Sequence, residues 1–169
     1  GGAVDFWLMR LVDVLLAFPG MLLAIALAAV FGPGLPNVVL ALSLVGWTGY
    51  ARLVRGEVLA IRERDHVEAA VALGVAGPSI LLRHVLPLVV APLAVQATFG
   101  VAGAIVGEAS LSFLGLGVQA PTPSWGSMLD EGRQFLLVAP HLVLAPGAAL
   151  AATVLALQLL GDALRDWLD

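Results

Sequence analysis

The sequence predicts an all-α protein, a polytopic helix bundle built to sit in a lipid bilayer. Three observations predict it. Hydrophobic residues make up 60% of the 169 and charged residues only 12%, against about 25% charged in average soluble domains. Three runs, Val14 to Ala51, Val85 to Gly107 and Gln134 to Gly161, contain no Asp, Glu, Lys or Arg. Each is long enough for the roughly 20 residues that cross a hydrocarbon core. The formal charges collect between and beyond these runs. Such a composition excludes an ordinary soluble domain and a disordered chain. A net charge of −4 argues against a nucleic-acid partner. Cys is absent, which excludes disulfides, thiolate metal sites and a Cys nucleophile.

The first run is too long for one span. Gly32-Pro33-Gly34-Leu35-Pro36-Asn37 interrupts it, and that density of Gly and Pro marks a turn between helices. One span is expected over 11–31, kinked at Pro19, and a second over 37–54. Arg52 to His66 carries seven charged residues, which belong in water or at the headgroups. One charge at mid-bilayer costs roughly 2.5–3.5 kcal/mol on insertion scales. A third span is expected over 85–107, bent by Pro87 and Pro92. Gly100, Gly103 and Gly107 line one side of it, the last two at GxxxG spacing. Glu108 to Arg133, rich in Gly, Pro and Ser, reads as a loop, and a fourth span is expected over 136–160. The chain opens on Gly1 with its first Met at position 9 and no signal peptide. It is therefore read as one transmembrane domain, 1–169, of a longer protein whose earlier spans are missing.

Orientation follows from arginine. All eight basic residues are Arg. Arg52, Arg55, Arg62, Arg64 and Arg83 lie between spans two and three, and Arg10 and Arg165 fall on the same side; only Arg133 lies opposite. The positive-inside rule makes the loop over 55–83 and both ends cytoplasmic, and the 108–133 loop external.

The cytoplasmic loop contains a short helix pattern from Asp65 to Leu73. Asp65 is placed to cap it, with Glu68 as a capping-box partner; Gly74 suits its C-terminal end, and Gly77-Pro78 stops continuation. So short a helix is marginal alone, and its small side chains suit a groove on another protein.

Glu68-Ala69-Ala70, three residues, Gly74, nine residues, then His84-Val85-Leu86-Pro87 resembles the EAA signature of bacterial ABC importer permeases. The departure is His84, where many members have Ile; Arg83-His84 followed by Leu86-Pro87 is similar to the dipeptide, oligopeptide and nickel branch. Leu40–Glu57, Glu108–Trp125 and Leu160–Asp166 resemble the same branch. The resemblance implies a type I importer permease fold, of which these would be the last four spans, in the bacterial inner membrane. It implies that the helix over 65–73 is a coupling helix docking on separate ATP-binding subunits. A second permease, an extracytoplasmic solute-binding protein and the bilayer would be the other partners. Glu68, Ala69, Ala70, Gly74, Arg83, His84, Leu86 and Pro87 are the implied coupling residues. The chain has no Lys, so it cannot form a Walker-type phosphate loop. No catalytic residue, cofactor or nucleic acid is expected.

Each candidate has a plainer reading. Glu68 could be a solvated helix charge, Gly74 only a helix stop, and Arg83 and His84 only interfacial anchors. Glu108, at the external end of span three, is a candidate for a gate or pathway role, or else faces water. Arg10 and Asp13, three apart, read as a local ion pair. Trp47, Tyr50 and Trp125 read as interfacial or packing residues. His66, His84 and His141 are scattered without metal-ligand spacing, so no metal site is expected. An ion-coupled secondary transporter would place polar or acidic residues at span centres and show repeats; here the span interiors are nearly charge-free. A non-transporting scaffold would leave the EAA spacing unexplained.

Overall fold

A computed structural model describes residues 2–168. Every element in it is helical: α1 (Ala3–Leu16), α2 (Gly20–Phe31), α3 (Leu35–Arg62), α4 (Asp65–Ala72), α5 (Gly77–Ile80), α6 (Leu86–Phe113), α7 (Trp125–Gly132) and α8 (His141–Leu168). A π-helical turn, Leu81–Val85, joins α5 to α6. Three continuous stretches are long and apolar enough to cross a membrane: Leu35–Arg62, Gly77–Phe113 and His141–Leu168.

The stretch expected as one kinked span over 11–31 is two helices meeting at 89°. Pro19 has no N–H and disfavours helical geometry at the residue before it. Ala17 and Phe18 close α1, and Pro19 takes an extended ψ of 119° at the start of α2. At twelve residues, α2 alone is about 18 Å long, and together with α1 it makes a broken span or a re-entrant loop. The chain then reverses through Gly32 and Gly34, whose φ values of 86° and 130° require glycine. The Asn37 amide donates to the Phe31 and Gly32 carbonyls at 2.9 and 3.1 Å, satisfying the end of α2.

α1 lies across the C-terminal half of α3. Asp13 pairs with Arg52 and Asp5 with Arg55, both at 3.0 Å. The expected Arg10–Asp13 pair is thus replaced by a bond between helices, and the Arg10 guanidinium instead sits 5.5 Å from the centre of the Phe6 ring.

Glycines set how α3, α6 and α8 meet. The Tyr50 hydroxyl fills the space a side chain would take at Gly100, and Leu42 does the same at Gly107. Gly161 of α8 seats against Thr98 and Phe99 of α6. This antiparallel register decides depth. The first charges toward the α4 end are Arg52 on α3 and Asp162 on α8, and both fall near the level of Thr98 on α6. Of the apolar residues before that level, Leu86, Leu88 and Val90 are exposed, while Val85 and Val89 are buried. Val85, Val89 and Leu93 join Val54, Val58 and Ile61 of α3 and Val67 of α4 in one cluster. A second cluster, of Ala28, Val38, Ala41 and Leu111, closes the opposite end.

The 108–133 segment is more ordered than a loop. α6 runs on to Phe113, and α7 begins at a capping box in which the Ser127 N–H donates to Ser124 Oγ at 3.1 Å while Ser127 Oγ accepts from the Ser124 N–H. Gly126 lets α7 lie directly on the Ala109 backbone.

Candidate coupling site

α4 is held by one face. Val67 and Ala70 are buried, while Glu68, Ala69, Val71 and Ala72 are exposed. Val67 enters the cluster formed by the inner ends of α3 and α6, and burying such a side chain contributes about 1.5–3 kcal/mol. The two alanines of the motif therefore divide. Ala70 packs inward on its own chain, and Ala69 is left beside Glu68 on the outer surface.

Asp65 is the first helical residue of α4, not its cap. Arg64 holds the cap position with extended backbone and no side-chain capping bond. The Asp65 and Glu68 carboxylates in the first turn still favour the positive end of the helix dipole. At the other end Gly74 has φ +74°. Its N–H donates to the Val71 carbonyl at 2.9 Å, and the Val75 N–H reaches back to Ala70 at 3.1 Å. These two bonds define a Schellman end, so Gly74 is needed for its backbone conformation. A Cβ there would meet nothing within 4 Å. Leu73, 83% exposed, leads an apolar rim with Val71 and Val75.

Gly77-Pro78 opens a new helix rather than only ending one. Pro78 occupies the first turn of α5, where its missing N–H costs nothing. α5, the π turn and α6 then run unbroken from Gly77 to Phe113. Pro87, in the first turn of α6, cannot donate to the carbonyl four residues back. The turn before it widens, and the Leu86 N–H bonds to Leu81, five residues back. Arg83 and Leu86 are exposed on this turn and His84 is half-buried. The imidazoles of His84 and His66 approach to 6.2 Å between ring centres, tilted by 40°. Two of the three histidines read as scattered are thus neighbours across the α4–α6 junction. No group of three or more metal-binding side chains forms among the described residues.

Glu108 lies far from this site, five residues before the end of α6. Its carboxylate accepts from Ser112 Oγ at 2.6 Å, and Ser112 Oγ accepts from the buried Val118 N–H at 2.9 Å. α6 ends in the same bond pattern as α4: Gly115 (φ +76°) donates to Ser112 at 3.0 Å, and Leu116 to Leu111 at 2.9 Å. The Gly34 N–H donates to the Gly117 carbonyl at 2.8 Å, tying this segment to the α2–α3 turn. At the end of α7, Arg133 Nε is 3.0 Å from Asp130 Oδ1, an ion pair without hydrogen-bond geometry. The Arg133 guanidinium also lies 5.5 Å from the Phe113 ring centre.

A bundle of long apolar helices that holds a small, glycine-ended helix out at one end defines a polytopic membrane component. The chain belongs to the family of binding-protein-dependent transport system inner membrane components, which matches residues 1–169. It is similar to the glutathione transport system permease protein GsiD of Shigella dysenteriae serotype 1, at 48% identity over 98% of this chain and 54% of the relative. GsiD of Escherichia coli O157:H7 is similar to the same extent. GsiD of Escherichia coli O1:K1 is 49% identical over 95% of this chain and 53% of its own length. The chain thus spans about half the length of the curated relatives it matches.

Proposed function

We propose that this chain is part of one transmembrane permease subunit of an ATP-driven importer for peptides or a related small solute. The observation that carries the reading is α4, a compact helix anchored by Val67 and Ala70 with its Glu68–Ala69 surface and Leu73 rim turned outward. Glu68, Ala69 and Gly74 are the contact end for a separate ATP-binding subunit. Arg83, His84, Leu86 and Pro87 form the base through which α4 meets α6. The Gly77–Phe113 element, about 55 Å long, carries motion from that base to the external segment. There Glu108, through Ser112, keeps the segment attached.

The level of Arg52, Thr98 and Asp162 is taken as the cytoplasmic boundary of the bilayer. α1 then lies along that boundary with Trp7, 69% exposed, toward the headgroups. Without Lys the chain has no Walker loop, so ATP hydrolysis belongs to partner subunits, and this subunit is no enzyme. A second permease and an extracytoplasmic binding protein complete the assembly. The name of the relatives supports a peptide-type solute.

The test uses the full-length protein co-expressed with its ATP-binding partners and reconstituted with its binding protein. Wild type co-purifies with the ATPase and takes up peptide only with ATP. Glu68→Trp inserts normally but loses both ATPase retention and uptake. Uptake driven by an ion gradient without ATP, or undiminished uptake by Glu68→Trp, contradicts the reading.

A further inference from the structure

We propose that the groove between α2, α3 and α6 is this chain's share of the solute path, and that it binds uncharged amide groups such as those of a peptide backbone. This rests on the transport reading above and adds a site and a ligand chemistry to it. The groove encloses ≈ 570 Å³; its wall is mostly apolar, with Met21, Leu42, Val45 and Gly103, and Ser43, Trp47, Tyr50 and Gln96 supply its few polar groups. Such a volume lies within the range of about 300–1,000 Å³ usual for ligand pockets.

Depth is the first argument. The groove runs from the level of Leu42 and Gly107 to that of Tyr50 and Gln96. It therefore occupies the layer in which α3 and α8 carry no charge, where a polar group without a partner is costly. The second argument is how hydroxyls in that layer are satisfied. Thr48, Thr98, Ser110 and Thr153 each donate to a carbonyl three or four residues back on their own helix, at 2.7–2.9 Å. None of these four lines the groove. The groove's own polar groups differ. Among the described residues Ser43 Oγ, Trp47 Nε1 and the Gln96 side-chain amide make no hydrogen bond, and the Tyr50 hydroxyl reaches only the Gln96 backbone carbonyl, at 3.5 Å.

Chemistry of the lining selects the occupant. No formally charged residue lines the groove, so it does not recognise the charged ends of a solute. Gln96 offers both amide donors and an acceptor, Trp47 a donor and Ser43 both. An acyl chain would use none of these. Gly103 has no atom within 4 Å of where its Cβ would stand, so a second backbone can approach closely.

The test takes the full-length protein, assembled with its second permease and ATPase in proteoliposomes, carrying Gly103→Cys or Ser43→Cys as its single cysteine. Labelling by a charged, water-soluble thiol reagent is followed with and without trialanine. Labelling slowed at least fivefold by trialanine is the expected result. Reaction only with a lipid-soluble maleimide would show that the groove faces lipid. No reaction with either reagent would show that protein fills it. Reaction indifferent to trialanine would show a water-filled space without peptide affinity. Each of those three outcomes overturns the proposal. Gln96→Leu is expected to raise the uptake KM about tenfold with kcat unchanged, as for one lost hydrogen bond; a fall in kcat alone contradicts a binding role. ATP-driven uptake by the unsubstituted complex, supplied with its binding protein, is measured in the same vesicles. Its absence defeats the transport reading itself, whereas its presence with an unprotected cysteine defeats only this site.

Discussion

Replacing Gly74 by alanine isolates the backbone requirement at the end of α4. Gly74 sits at φ +74° with no atom within 4 Å of a built Cβ. The substitution therefore adds no clash and acts through conformation alone. Holding an L-residue in the left-handed region costs roughly 1–2 kcal/mol. α4 has only eight residues, and its last turn is closed by the bonds from Gly74 and Val75, so the strain acts locally and unwinds that turn. A penalty of this size lowers the ratio of formed to unwound ends by a factor of about 5–30. The assay is ATP-driven uptake by the full-length protein in its complex, with co-purified ATPase and membrane level measured on the same samples. Gly74→Ala is expected to leave membrane level unchanged and reduce uptake by up to about 5–30-fold, the limit for a marginally formed end. Gly74→Asn falls between it and wild type, because Asn tolerates the left-handed region better. Gly77→Ala is the control: it too has open space, but no positive φ, and it is expected within about 0.5 kcal/mol of wild type. If Gly77→Ala is as damaging as Gly74→Ala, or Gly74→Ala is harmless, the conformational reasoning is refuted.

Other substitutions probe the rest of the frame. Gly126→Ala drives a Cβ into the Ala109 backbone, which cannot swing aside; a loss of about 1–3 kcal/mol or more should lower Tm in detergent, while Gly103→Ala leaves Tm unchanged. Ser112→Ala strips the Val118 N–H and the Glu108 carboxylate of their partner, at a cost of about 1–3 kcal/mol, read as lower Tm and faster proteolysis of the 114–124 segment. Asp13→Asn removes a pair whose two side chains are 58% and 52% exposed; about 0–1 kcal/mol is at stake, and the Tm difference from wild type should vanish in high salt.

Composition made the membrane bundle legible, because span length and charge cost are properties of the chain alone. The motif located α4, and glycine chemistry located its end. Other features depended on tertiary register. The uncharged run from Val85 reads as one span, and only the fold shows that Val85 and Val89 within it pack on Val67 and Ile61. Asp13 reads as the partner of Arg10 by spacing, but the turn at Pro19 carries α1 across α3 to Arg52. Asp65 looks like a cap, but the backbone enters the helix one residue earlier. His66 and His84 are eighteen positions apart, and only the fold brings their rings together. Ser124 and Ser127 are the missed signal: their capping spacing marks the start of α7 inside a segment read as loop. No sequence pattern distinguishes Gln96, at the middle of an apolar run, from a packing residue; its groove emerges only when α3 lies against α6.

The most direct measurement is a cross-link from Leu73→Cys, on the most exposed apolar side chain of the α4 end, to a cysteine on the ATP-binding subunit in the assembled full-length complex. The account predicts a cross-link whose yield changes with ATP, and modification of the uncoupled protein from the cytoplasmic face only. Modification of position 73 from outside intact cells, or a complex that hydrolyses ATP and transports while position 73 never approaches the ATPase, would contradict it.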